Sequence, residues 1–157
     1  ARQEDDLVFN GSKAVGSDGL LNAKGTWSVK LTDWSQVGAA ADNVIEAVNA
    51  LDAAGFHGPY SLALTPQRYN LLLRRYPQGN ATEIEHVRTM VADGVVKAPS
   101  IKTGGVLVAS GRQYASIVLG LDLATGFVGP EGGNYEMYVA ESLALRLTVP
   151  ESVCVLK

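Results

Sequence analysis

The sequence predicts an α+β fold, and three observations carry that reading. One alternation of apolar and other side chains runs unbroken from Tyr135 to Val149, the pattern of a single long strand. The stretch from about Ser35 to Ala54 repeats its apolar residues at helical spacing. Elsewhere helices and strands follow one another without a regular β-α-β repeat, which separates α+β from α/β.

The chain opens on Ala1-Arg2-Gln3-Glu4-Asp5-Asp6-Leu7-Val8-Phe9, which has no Met and reads as the last turns of an amphipathic helix. A helix that starts in mid-pattern without a cap suggests the C-terminal part of something longer. Asn10-Gly11-Ser12 and Gly16-Ser17-Asp18-Gly19 are turns, followed by a short strand within Gly25–Leu31. The strongest helix places Val37, Ala41, Val44, Ile45, Val48 and Leu51 on one face. Asp33 and Gln36 have capping-box spacing at its start, and Gly55 is its expected left-handed stop.

Gly58-Pro59 launches a strand, Tyr60–Leu64, and Thr65-Pro66 opens a helix with Tyr69, Leu72 and Leu73 on one side. The loop Tyr76–Asn80 leads to a third helix through Ala92, with Ile84, Val87 and Val91 as its stripe. Strands follow at Val95–Ala98, Gly105–Ser110 and Tyr114–Leu119. A bend at Gly120–Gly126 then precedes Phe127–Pro130, and Glu131-Gly132-Gly133-Asn134 turns the chain into the long strand. A last strand, Ser152–Leu156, completes the chain. At about 3.4 Å per residue the long strand spans roughly 45–50 Å, more than one domain of this size uses. Such a strand suits an architectural protein.

With 157 residues, 46% of them hydrophobic, the chain can bury a core without disulfides or metals. Its net charge of −3, with no basic block, gives no support for nucleic acid or a membrane surface as partner. No signal-peptide pattern is expected within these residues, and no apolar run approaches the roughly 18 residues of a membrane helix. The single cysteine, Cys154, lies in the apolar run Val153–Leu156 and reads as a core thiol in a reducing, cytosolic setting.

Motifs for catalysis or metal binding are absent. His57 sits in a turn, and His86 lies among Glu83, Glu85 and Arg88 on what reads as a solvated helix face. There is no HExxH, no paired CxxC and no G-x-S-x-G, so neither a metal site nor a nucleophile is expected. Gly11–Gly16 lacks the order of a phosphate loop. Arg68, Arg74 and Arg75 alternate with Tyr69 and Tyr76 as the best basic-aromatic cluster, which reads more simply as a helix end. Glu141 interrupts the apolar face of the long strand. It needs either a donor such as Arg146 or a bulge that turns it outward.

Several blocks together resemble the encapsulins, or linocin-type proteins: Gly55–Leu64 with Thr65–Tyr69, Leu119–Phe127, Val139–Leu143, Val149–Leu156 and Gly19–Asn22. Their order and spacing match across essentially the whole chain. The resemblance implies a tailed-phage major-capsid fold and a non-enzymatic subunit, without cofactor, that self-assembles into an icosahedral compartment in the prokaryotic cytoplasm. It implies a homo-oligomer that encloses a peroxidase or a ferritin-like protein, recruited through the cargo's C-terminal targeting peptide. Residues 26–118 would form the axial domain, and residues 1–25 and 119–157 part of the peripheral domain. The family's N-terminal helix, extended loop and most of its spine helix have no counterpart in this sequence.

The loop Arg74, Arg75, Tyr76, Pro77, Gln78, Gly79 and Asn80 matches the family's five-fold pore loop in place, though it is shorter before Tyr76. Leu143, Leu145 and Leu147 are the expected floor of the cargo-peptide groove, with plain core packing as the alternative for at least two of them. Two other functions stay open: a phage or prophage capsid protein of the same fold, and a bacteriocin or protease activity.

Overall fold

A computed structural model of the chain describes residues 2–157. Ala1, which the sequence assigns to the first helix, lies outside the described residues. Helix α1 covers Arg2–Asn10, and β1 (Trp27–Val29) follows after turns. Helix α2 (Ala39–Ala53) precedes β2 (Tyr60–Leu64), and α3 (Pro66–Leu71) and α4 (Glu83–Met90) flank the polar loop. Strands β3 (Val95–Lys97) and β4 (Gly105–Ala109) lead to a hairpin of β5 (Ala115–Glu131) and β6 (Asn134–Leu147). A 3-10 turn then feeds β7 (Val153–Leu156).

Five strands form one mixed sheet in the order β1-β7-β4-β2-β3. The outer pairs β1–β7 and β2–β3 are parallel, and the inner pairs are antiparallel. Period-two alternation divides the side chains between two cores. Leu62, Leu64, Leu107, Cys154 and Leu156 face α2 and α4, where they meet Val44, Leu51 and Val87. Ala63, Val106, Val153 and Val155 face the other way, toward Leu20, Val8, Phe9 and the foot of the hairpin. Burial pushes the Cys154 thiol up to about 11, as a core thiol requires.

Strand β7 lies inside the sheet between β1 and β4, because its four residues are apolar and all buried. Three expectations need correction. Asp33 and Gln36 do not cap α2. Asp33 accepts from the Ser35 amide at 3.0 Å in a local turn, and the helix begins later, after Gly38. The buried face of α2 is Ala40, Ala41, Val44, Ala47 and Leu51, while Ile45 stays exposed, because small alanines let the helix approach the sheet closely. Helix α3 ends at Leu71, so Leu72 turns into the core and Leu73 to the surface.

The bend expected at Gly120–Gly126 is absent as well. β5 continues through it, paired with β6 throughout, and register shifts between Leu119/Leu121, Leu121/Ala124 and Phe127/Gly129 absorb the irregularity. Thr65 does cap α3, accepting from the Arg68 amide at 3.4 Å, and Thr82 with Glu85 forms a capping box on α4.

Candidate functional site

Paired residues of an antiparallel ladder share a face, so the register of the hairpin sorts its surface. One face carries Ile117 with Leu145, Leu119 with Leu143, Thr125 with Val139, Phe127 with Met137, and Pro130 with Tyr135. The foot of this face is covered, since Leu145 and Leu147 pack against the second core. The outer part is not: Tyr135 is 78% exposed, Met137 65% and Val139 66%. The strand expected to be half buried is therefore exposed over its outer half, apolar side included. A soluble surface seldom presents so continuous an apolar strip without a partner.

Glu141 falls where the register passes from Leu121 to Ala124, opposite a bulge, and it is exposed. Arg146 does not reach it; its Nε donates to Ser116 Oγ at 3.3 Å. Lost hydration and the neighbouring Glu4 carboxylate push the Glu141 carboxyl above its usual range. Glu4 and Glu141 edge a groove of about 780 Å³ between α1 and β6, with Leu7, Val139 and Leu143 among its apolar walls. Of the three leucines expected to floor a peptide groove, Leu143 lines this one, whereas Leu145 and Leu147 belong to the core.

The loop between α3 and α4 closes on itself. Arg75 and Thr82 form an isolated antiparallel bridge, and the Tyr76 amide donates to the Ala81 carbonyl at 3.0 Å. Pro77, Gln78, Gly79 and Asn80 are exposed at its tip. Arg75 is exposed too, but Arg74 turns inward and donates from Nη1 to the Ser35 carbonyl at 2.7 Å and from Nη2 to that of Trp34 at 2.6 Å. Tyr76 meets His86, with its hydroxyl 2.9 Å from Nδ1, so that histidine is more than a solvated helix residue.

The basic-aromatic cluster does not form one surface. Arg68 stacks on Trp34 at 4.6 Å, Lys97 sits over Tyr69 at 4.9 Å, and Arg74 is engaged with backbone carbonyls. His57 lies 3.4 Å from Asp52 in its exposed turn. Among the described residues no three His, Cys, Asp or Glu side chains are grouped to hold a metal, and no helix is long and apolar enough to cross a membrane. Sequence reasoning missed Glu83, a fully buried carboxylate at the neck of the loop. The available signal was its position four residues before Val87, on the apolar stripe of α4.

The fold matches that of chains in solved virus-like and phage particles. The crystal structure of a virus-like particle from Pyrococcus furiosus superposes with a TM-score of 0.86 at 24% identity, covering 99% of this chain and 63% of that one. The capsid protein of Myoviridae phage XM1 superposes with a TM-score of 0.74 at 15% identity, covering 99% and 60%. Both likenesses concern the fold alone.

A family profile, Linocin_M18, described as encapsulating protein for peroxidase, matches residues 1–144, and the chain belongs to this encapsulin family. It is 34% identical over 158 residues to a type 1 encapsulin shell protein of Myxococcus xanthus, covering 100% of this chain and 55% of the relative. It is also 34% identical to a diheme-cytochrome-encapsulin shell fusion protein of Kuenenia stuttgartiensis, covering 44% of that protein. A ferritin-like-encapsulin shell fusion protein of Pyrococcus furiosus is 24% identical. The chain spans about half the length of the relatives it matches.

Proposed function

We propose that this chain is the wall-forming part of an encapsulin subunit, which acts by abutting copies of itself and not by catalysis. The observation that carries the reading is the outer half of the β5–β6 hairpin, whose apolar residues project from a fold otherwise able to bury its core. Contacts that bury such a strip would be repeated around a closed shell, where symmetry multiplies a modest interface. Residues 26–118 would form the axial domain around the symmetry axes, and residues 1–25 and 119–157 part of the peripheral domain.

Within that shell, the loop of Arg75, Tyr76, Pro77, Gln78, Gly79 and Asn80 would ring an opening for ions or small substrates, with Arg74 held behind it. Repeated copies of Arg75 around one axis would focus anions and repel cations. The α1–β6 groove, with Leu143 on its wall, suits the apolar targeting peptide at the C-terminus of a cargo enzyme, a peroxidase or a ferritin-like protein. Peptides dock along apolar surface next to strands in this way. The compartment would be cytoplasmic.

The test is electron microscopy of the complete parent polypeptide, with mass spectrometry of what co-purifies. Closed hollow shells holding an enzyme are expected. A parent protein that remains monomeric under native sizing at high concentration overturns the reading, and particles filled with DNA favour the phage-capsid alternative.

A further inference from the structure

The neck of the exposed loop carries more polar structure than its tip. The tip, from Pro77 to Ala81, is exposed, and the described bonds that close it are the Arg75–Thr82 bridge and the Tyr76–Ala81 backbone bond. Just behind that bridge the Glu83 amide donates to the Arg74 carbonyl at 3.0 Å, so these two residues stand side by side. Both side chains then leave the loop and bind one segment, residues 34–41, which forms the approach to α2.

Glu83 is 0% exposed. Its Oε1 accepts from the amides of Gly38 at 2.9 Å and Ala41 at 3.0 Å. Those are open donors at the start of α2, which no side chain of its own caps. The helix dipole adds to the attraction for this carboxylate. Oε2 makes no hydrogen bond among the described residues and faces the Arg74 Nη2 at 3.9 Å. Arg74 fixes itself with three bonds, to the carbonyls of Leu71, Ser35 and Trp34. A buried charge with one cation and one helix end to balance it is costly to disturb, so its geometry is well determined. The Tyr76 ring completes the seam: a Cβ on Gly38 would lie 3.7 Å from its Cε1.

We infer that Arg74 and Glu83 are a positioning pair, a clamp that ties the neck of the Tyr76–Thr82 loop to the start of α2 and so fixes how the loop is presented. Its importance to traffic rests on the proposal that the loop lines an opening. The clamp itself does not depend on that proposal. Helix α2 is packed into the core through Ala40, Ala41, Val44 and Leu51, so the loop inherits the rigidity of the core through these two side chains.

The test uses the assembled full-length protein carrying Glu83→Gln or Arg74→Met, read by hydrogen–deuterium exchange. The glutamine keeps an oxygen for the two amides but loses the attraction to the guanidinium. The methionine keeps bulk but loses the three donated bonds. The neck amides of Tyr76 and Glu83, which donate to the Ala81 and Arg74 carbonyls, are expected to exchange about tenfold faster in either variant while those of β4 stay unchanged, the sign of local release and not global destabilisation. Should Arg74→Met fail to assemble, Arg74→Lys, which keeps the charge but not the fork of donors, is read in its place. Neck amides unchanged in both variants overturn the clamp. Passage of ferrous iron into the shell is measured on the same particles. Faster neck exchange with unaltered passage leaves the clamp standing and removes the pore reading.

Discussion

Asn43 collects three donors on one buried oxygen: the Thr32 amide at 3.0 Å, the Thr32 hydroxyl at 2.9 Å and the Trp34 indole at 2.8 Å. It anchors the chain entering α2 before Arg74 and Glu83 take hold of it. Asn43→Ala strands a buried indole N–H and an amide, and it should cost roughly 2–3 kcal/mol, read from urea unfolding of this chain. A change below about 0.5 kcal/mol would show that these donors find other partners. Cys154 offers a pH test. Burial first, and the Glu46 carboxylate second, raise its pKa from 9.0 to about 11. Because the folded-state pKa lies above the unfolded one, the contribution is intact below pH 9 and is lost as pH rises toward 11. The Tyr60 phenol is also raised, by burial and by Asp52, and weakens the fold in the same alkaline direction. Comparison with Cys154→Ala isolates the thiol: the two proteins' thermal midpoints should converge between pH 9 and 11. Parallel curves through that range would rule the thiol out.

At the scale of elements, sequence periodicity located what local chemistry determines and missed what distant residues determine. The strands Tyr60–Leu64 and Gly105–Ala109, the Thr65 cap and the Gly55 stop were legible, because each depends on residues a few positions apart. The real cap of α2 was not, because Glu83 lies 45 residues from Gly38. The continuity of β5 was hidden by its glycines, which read as a bend, whereas Gly120 falls at a register shift within the strand and Gly126 stays paired with Tyr138. The place of β7 in the middle of the sheet could not be read from four apolar residues at the end of a chain. Leu143 lines the α1–β6 groove, and α1 as its other wall needed the fold. Two glycines separate the local from the distant effect. Gly55 has φ +93 with open space around it, so Gly55→Ala should cost only the conformational penalty, about 1–2 kcal/mol. Gly104 has φ +73, and a Cβ there would sit 1.9 Å from the Leu156 carbonyl oxygen. Gly104→Ala must therefore part β4 from β7 as well and should cost more than about 3 kcal/mol. Equal urea midpoints for the two variants would contradict the close packing of that strand pair.

For the whole molecule, the question is where the apolar free energy of the hairpin is spent. A two-stranded ribbon of 17 and 14 residues is marginal in water on its own, and only its foot is tied to the core. Its outer residues Phe127, Tyr135, Met137 and Val139 stay exposed in the isolated chain. Each large apolar side chain covered by a neighbouring copy contributes about 1.5–3 kcal/mol, so four of them outweigh the ordering cost of a modest contact. Lysines introduced there would have to be desolvated without a partner, which is unfavourable at every repeated interface. The double variant Met137→Lys/Val139→Lys should thus leave the thermal midpoint of the 157-residue chain within about 2 °C of the parent, since neither side chain is buried in it. In the full-length protein the same pair should shift the population from particles to small species under native sizing and electron microscopy. The two measurements separate folding from assembly. Full yield of normal shells from the double variant would show that the hairpin's apolar strip is not a contact surface, and a collapsed midpoint in the isolated chain would show that it serves the fold instead.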